Sequence, residues 1–202
     1  METKLKNIAE IYTGFTQRPP NPDKSVNTFD LKTIQIKDLI KDQVTITNDQ
    51  LSEIEWAYDS KPQFLKHNSL IVVARGEPNA YIFKGNIQDQ VAVSNQFIVV
   101  NLNTDILKPE YLAWYFNHSQ AMRSYFEMNS RGSMLMMLSI SILKEASIII
   151  PSLDQQHEIH GLLNESMKDK TIVAYTQRLM KLRAEYNQAK CEQILLQAQT
   201  VQ

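Results

Sequence analysis

Hydrophobic and polar positions follow two regimes along the chain. Up to about residue 151 the period changes often. Ile34 and Ile36 alternate with polar residues, as do Val44 and Ile46, which predicts half-buried strands. Leu70-Ile71-Val72-Val73-Ala74 is a continuous apolar run stopped by Arg75-Gly76 and predicts a buried strand. Val91-Ala92-Val93 and Phe97-Ile98-Val99-Val100 predict two more, around the polar break Ser94-Asn95-Gln96. Ser147 to Ile150 predicts another, ended by Pro151. Pro109 suits the first position of a helix, with Glu110 at its positive end. Leu112, Tyr115, Phe116 and Ser119 follow at helical spacing, so this helix is expected to run to about Phe126. Strands mixed with a few helices, without regular alternation, predict an α+β fold: a mixed α/β domain with a mostly β core.

The second regime begins at residue 152. Ser152 or Asp154 can cap a helix whose first stripe is Ile159, Leu163 and Met167. Between Lys168 and Thr171 the phase shifts. Ile172, Tyr175, Leu179, Leu182, Tyr186, Ala189, Gln193 and Leu196 then recur at alternating steps of three and four. That predicts a coiled-coil seam about 37 Å long at ~1.5 Å per residue, the alternative being a long amphipathic helix folded against its own domain. Neither glycine nor proline occurs after Gly161. The expected organisation is a globular domain over 1–151 and a long C-terminal helix over 152–202. Thr176, Arg183 and Lys190 flank one side of the seam; Arg178, Glu185 and Glu192 flank the other. Parallel self-pairing joins unlike flanks, at a few tenths of a kcal/mol per exposed pair.

Composition narrows the classes. Hydrophobic residues make up 43% of 202, enough for a real core and too many for a disordered chain. The single cysteine, Cys191, excludes an internal disulfide and fits a reducing compartment. No apolar run is long enough for a membrane span, and Met1-Glu2-Thr3-Lys4 lacks the apolar core of a signal peptide. A soluble, cytoplasmic protein is expected. Charge is nearly balanced at net -1, which does not announce a basic nucleic-acid clamp. Asn and Gln number 31, a supply of neutral amides that can read base edges without adding charge.

Catalytic signatures are missing. There is no phosphate-cradling G-x-x-x-x-G-K-[ST] loop, no G-x-G-x-x-G and no G-x-S-x-G elbow. His157 and His160 have no matching carboxylate, so no metal site is expected. Asp23, followed by Asp30-Leu31-Lys32, resembles the carboxylate elements of magnesium-dependent nucleases, but the two parts lie only seven residues apart. Chance loop residues account for them more simply. What remains is a set of polar loops between strands. They carry or adjoin Arg18, Lys24, Lys61, Arg75, Lys84 and Arg131, accompanied by Asn79, Asn95 and Gln96. Arg can grip guanine in two places, Asn or Gln adenine, and Lys or Arg a phosphate.

Several segments together resemble the specificity subunit of type I restriction-modification systems. Leu5 to Thr16 is similar to the opening of a target recognition domain in that family. Leu65 to Gly76 is similar to its central strand and Arg-Gly turn, and Pro109-Glu110-Tyr111-Leu112 to the start of its recurrent helix. Arg131-Gly132-Ser133, Leu138-Ser139-Ile140 and Ile148 to Ile159 are similar to the exit from the domain. The strand-Pro-x-Leu-x-x-Gln element, Ile148 to Gln156 here, is the most specific of these.

The resemblance implies that the globular domain reads one half of a split double-stranded DNA target. The C-terminal helix would be the spacer. Adenine methyltransferase subunits and a restriction or motor subunit would dock on the assembly. S-adenosylmethionine, ATP and magnesium would belong to those partners, and this chain would bind no cofactor and catalyse nothing alone. Typical members carry two recognition domains and two spacers, so the chain is expected to be a half-subunit that forms a homodimer, or a piece of a longer one. Family spacers pair antiparallel, against the mild preference of the flanking charges. The reading of another class is a coiled-coil interaction protein, a decoy that occupies methyltransferase subunits without reading DNA.

The seam gives a direct expectation. Leu179→Asp combined with Leu182→Asp should abolish self-association and leave the globular domain folded. Sedimentation of the doubly substituted chain checks this, and an unchanged mass would refute it.

Overall fold

The computed structural model describes residues 1–16, 28–39, 43–56, 61–129 and 137–199. It divides into two compact units, Met1–His160 and Gly161–Gln202. The first is a mixture of strands and helices.

Its centre follows from two apolar strands. β6 (Leu70–Val73) and β9 (Phe97–Leu102) pair antiparallel, Leu70 opposite Val100 and Val73 opposite Phe97. Side chains of a strand alternate between faces, so an unbroken apolar run must be covered on both. Leu70, Val72, Ile98 and Val100 enter one core cluster; Ile71, Val73, Phe97 and Val99 enter a second. Around this pair the sheet extends in the order β2-β9-β6-β7-β4. Here β2 is Ala9–Thr13, β4 Thr45–Ile46 and β7 Ala80–Phe83. The first cluster is closed by α1 (Pro109–His118), α2 (Gln120–Asn129) and α3 (Ile140–Glu145). The second is closed by Ile34, Val91 and Val93 from a smaller sheet, β5-β3-β8. That sheet comprises β3 (Phe29–Ile34), β5 (Ser52–Trp56) and β8 (Val91–Val93). Each buried Leu, Ile, Val or Phe contributes roughly 1.5–3 kcal/mol relative to exposure.

Two sequence expectations are corrected. The helix from Pro109 does not run on to Phe126. It ends at His118, and Ser119 takes an extended conformation (φ -68°, ψ 127°) before α2 begins. The break lets the Phe116 and Phe126 rings stack at 5.8 Å, whereas ten residues of unbroken helix would set them ~15 Å apart along the axis. The Ile34/Ile36 alternation also fails to continue as strand. β3 stops at Ile34, and Ile36 opens a short 3-10 turn. In that turn the Asp38 carboxylate accepts from the Gln35 N–H at 2.8 Å. This local bond competes with the sheet ladder, and Ile36 stays exposed.

The unit closes where its ends meet. β1 (Glu2–Lys4) pairs antiparallel with β10 (Ser147–Ile149). Pro151 then ends the strand, and Ser152 caps α4 (Leu153–Gln199). Its hydroxyl accepts from the Gln155 N–H at 3.3 Å while the Gln155 carboxamide accepts from the Ser152 N–H at 3.1 Å, a reciprocal cap. One turn on, the Gln156 amide is 1% exposed and fully used. It accepts from the Lys108 N–H at 2.8 Å and donates to the Ile106 carbonyl at 2.8 Å and the Pro151 carbonyl at 3.0 Å. Gln156 and the partly buried Ile159 therefore belong to the first unit, which extends to His160.

α4 continues through the phase shift at residues 168–171 as one helix. On it Leu179, Leu182 and Tyr186 are 51%, 53% and 65% exposed. The side chains of Ile172, Tyr175, Ala189 and Leu196 lie outside the described ones. Among the described residues no helix is long and apolar enough to cross a membrane.

Gln156→Leu should cost about 1.5–4.5 kcal/mol, because it removes three hydrogen bonds worth ~0.5–1.5 kcal/mol each. Urea denaturation of the two proteins measures the difference. A loss under half a kcal/mol would show that these bonds are dispensable.

Candidate nucleic-acid interface

Polar loops gather at one end of the five-stranded sheet, and Ala74 is their junction. It follows the apolar run of β6. Its N–H donates to the Gln96 carbonyl at 2.8 Å, and its carbonyl accepts from the Leu138 N–H at 2.8 Å. Arg75 continues the contact as an antiparallel bridge to Met137. So the β6–β7 turn, the β8–β9 turn and the segment entering at Met137 lie side by side.

The end of β2 joins the same group. The Phe15 N–H donates to the Val93 carbonyl at 2.9 Å, and the Asn95 N–H donates to the Phe15 carbonyl at 2.7 Å. The Asn95 side chain donates to the Thr16 hydroxyl at 3.2 Å. Gly14 makes the approach feasible: a Cβ there would lie 2.1 Å from the Ser94 carbonyl oxygen and 2.2 Å from that of Val93. Gly76 has φ +99° with open space around it, so glycine serves turn conformation there rather than packing. At this end the exposed Arg75 has no side-chain partner among the described residues, and Asn95 and Gln96 are exposed beside it. The Gln96 carboxamide oxygen faces the Ser94 hydroxyl at 3.5 Å. Asn79 closes the β6–β7 turn, its carbonyl accepting from the Val73 N–H at 3.0 Å.

Four of the nine sequence candidates, Arg75, Asn79, Asn95 and Gln96, thus share one end. Arg18, Lys24 and Arg131 lie outside the described residues. Their segments adjoin Thr16 and Met137, both at this junction. Two candidates lie elsewhere. Lys61 sits over the Phe29 ring, 5.9 Å from its centroid, at the rim of a shallow cleft of about 480 Å³ with Asp30, Gln88 and Gln90. β7 carries Lys84 to the opposite end of the sheet. There its ammonium donates to Glu110 at 2.6 Å and to the Asn68 side chain at 2.5 Å. Of the nuclease-like residues, Lys32 pairs with Asp89 at 3.2 Å, Asp30 lines the cleft beside Lys61, and Asp23 lies outside the described residues.

Glu110 lines a cleft of about 630 Å³ at that opposite end, with Lys66, His67, Lys108, Gln156, His157 and others. Burial works to raise the Glu110 pKa, but the Lys84 hydrogen bond and charge outweigh it and hold the carboxyl below its usual range. Lys66 does the same for Glu10, through a hydrogen bond at 3.2 Å. Tyr12, between the two ends, is pushed up to about 12 by burial.

Sequence reasoning passed over Asn117. It sits near the end of α1, and its side-chain amide clasps both backbone groups of Ala80, where β7 leaves the β6–β7 turn. The Ala80 N–H donates to the Asn117 oxygen at 2.7 Å, and the Asn117 nitrogen donates to the Ala80 carbonyl at 2.9 Å. Nothing in the helical pattern marks this residue; its role depends on which strand α1 packs against.

Comparison with known proteins follows the geometry. The family model described as "Type I restriction modification DNA specificity domain" matches residues 1–182. No curated protein matches the chain. One solved structure, from work on complex assembly and conformational transition of the type I R-M system, aligns with TM-score 0.55 at 15% identity. It covers 86% of this chain and 39% of that one, and the likeness supports the fold. The HsdS subunit from Thermoanaerobacter tengcongensis aligns at TM-score 0.49 and 12% identity, covering 86% of this chain and 38% of its own. The S subunit from M. genitalium gives 0.47 and 14%, covering 81% and 38%. The chain spans about two fifths of the length of the solved chains it matches.

The Glu110 shift predicts an acid limb. A depressed carboxyl pKa stabilises above the unfolded value of 4.5 and loses that contribution as pH falls through the folded value. Glu110→Gln should therefore lose less stability than the parent between pH 5 and pH 3. Denaturant midpoints across that range check it.

Proposed function

Because the chain belongs to the family of type I restriction-modification DNA specificity domains, we propose that it reads one half of a split double-stranded DNA target and is not itself catalytic. The gathering of polar side chains at the Ala74 junction carries this reading. Arg75 and Arg131 are suited to guanine edges in the major groove, and Asn79, Asn95 and Gln96 to adenine. Arg18, two positions beyond Thr16 in the sequence, would act with them. Lys24 and Lys61 would hold phosphates; Lys84, already bound to Glu110, is the weakest member of the set. Near-neutral charge supports weak DNA affinity for the chain alone, since phosphate attraction scales with the cations engaged.

The division of labour follows. Residues 1–151 form the recognition domain and 152–202 the spacer. Adenine methyltransferase subunits dock on the assembly and bring S-adenosylmethionine. A restriction and motor subunit brings ATP and magnesium. The assembly works in the cytoplasm. Two copies of the chain associate through a coiled coil along Ile172, Tyr175, Leu179, Leu182, Tyr186, Ala189 and Leu196. One observation supports this: Leu179, Leu182 and Tyr186 are exposed along one stretch of α4.

The test is to co-purify the chain with a cognate methyltransferase and select from a randomised duplex library. One enriched half-site is expected. Arg75→Ala should relax one of its positions by about ten- to hundred-fold, the discrimination lost with a bidentate base contact. If the assembled complex binds no DNA even at low salt, recognition is refuted and the interaction-only role stands in its place.

A further inference from the structure

Resting on that reading, we infer that Asn117, a helix residue that need not touch DNA, is a specificity-positioning residue that sets the β6–β7 turn in its reading orientation.

The turn from Arg75 to Asn79 is fastened firmly along its β6 side. Asn79 pairs with Val73, and the neighbouring Ala74 is held by Gln96 and Leu138. Its other root is β7, whose outward edge is covered by β4 only from the far end. The Ile82 N–H donates to the Val44 carbonyl at 2.7 Å, and the Lys84 N–H to the Ile46 carbonyl at 2.8 Å. Ala80 lies two residues nearer the turn. Its outward N–H and carbonyl are taken by the Asn117 amide, at 2.7 and 2.9 Å.

A side-chain carboxamide has one donor face and one acceptor face, as a peptide group does. Asn117 therefore stands where another strand residue would pair. Ala80 has 0% of its surface exposed, so water is poorly placed to replace these bonds. The clasp is also well anchored. Phe116, next to Asn117, is buried and stacks on Phe126, while Tyr115 and Leu112 are buried in the same core. Core packing thus fixes the helix, the helix fixes Ala80, and Ala80 fixes one root of a turn whose tip carries Arg75 and Gly76. A bidentate base contact tolerates little displacement, because both hydrogen bonds need short, near-linear geometry.

Two variants separate positioning from folding. Asn117→Leu keeps the approximate volume and loses both bonds. Asn117→Asp keeps the acceptor for the Ala80 N–H but sets an oxygen against the Ala80 carbonyl. Each is taken through library selection in the methyltransferase complex, beside the parent and Arg75→Ala. Amide hydrogen exchange of the chain and a denaturant midpoint accompany each. The inference expects Asn117→Leu to relax the half-site at the same position as Arg75→Ala, by about tenfold, and to leave positions unaffected by Arg75→Ala as selective as in the parent. Asn117→Asp should fall between. Exchange at Ala80 and through the turn should quicken at least tenfold in Asn117→Leu. Relaxation spread equally over all positions would mark Asn117 as merely structural and overturn the inference, as would a parental selection pattern. If Asn117→Leu does not fold, the pattern of Asn117→Asp decides by the same criteria. A parent complex that enriches no sequence refutes base reading itself and the positioning role with it, and the exchange data then report only whether the clasp holds the turn.

Discussion

Backbone polar groups that lose contact with water need partners, and where α1 and α4 begin the first unit supplies three of them with one buried side chain. The Gln156 amide satisfies the Lys108 N–H and the Ile106 and Pro151 carbonyls at once. Those three residues belong to the segment that leads into α1 and to the strand exit that leads into α4. If they separate, the N-terminus of α1 loses its anchor, β10 loses its continuation and the cleft between them loses its floor. Neighbouring bonds reinforce the junction: the Tyr111 hydroxyl donates to the Ile149 carbonyl at 2.8 Å, and the Met1 ammonium to the Ile150 carbonyl at 3.1 Å. Asn117 repeats the device at the other end of the sheet. In both places a carboxamide substitutes for a peptide group where regular secondary structure runs out.

How much was legible beforehand depended on the range of the determining force. β6, β8 and β9 were visible because burial on both faces demands unbroken apolar runs, and β10 because its short apolar run is ended by Pro151. The start of α1 was visible because proline and glutamate at a helix N-terminus act locally, and so was the cap at Ser152. The purpose of Gln156 was not legible. Its place in a recognisable motif was plain, but the partners that give it meaning are about fifty residues away in sequence. The end of α1 was hidden because Ser119 is no strong breaker; the packing of Phe116 on Phe126 decides it. The candidate interface divides in the same way. Arg75, Asn95 and Gln96 come together because they flank the ends of two central paired strands. Lys84 is carried away because β7 runs from the β6–β7 turn to the opposite end of the sheet.

Balanced charge takes on a structural meaning in this light. Lys6 pairs with Glu145, Lys66 with Glu10, Lys84 with Glu110 and Lys32 with Asp89. The exposed pairs among them, Lys6–Glu145 and Lys66–Glu10, contribute little to stability. Their greater effect is to offset positive charge away from the Ala74 junction, where Arg75 stands among neutral amides. A surface arranged this way favours discrimination over grip, since amides distinguish hydrogen-bond patterns and contribute little long-range attraction.

The pairing of Glu2–Lys4 with Ser147–Ile149 brings the polypeptide's way in and its way out of the first unit together. Between them lies everything that the Ala74 junction displays. A unit whose entry and exit strands pair in this fashion has the geometry that domain insertion requires. Splicing a different interior between the same two strands leaves the seam to the rest of a polypeptide unaltered, and joining such units in tandem requires no rethreading of either. Variation in the interior and constancy at the seam can therefore evolve separately.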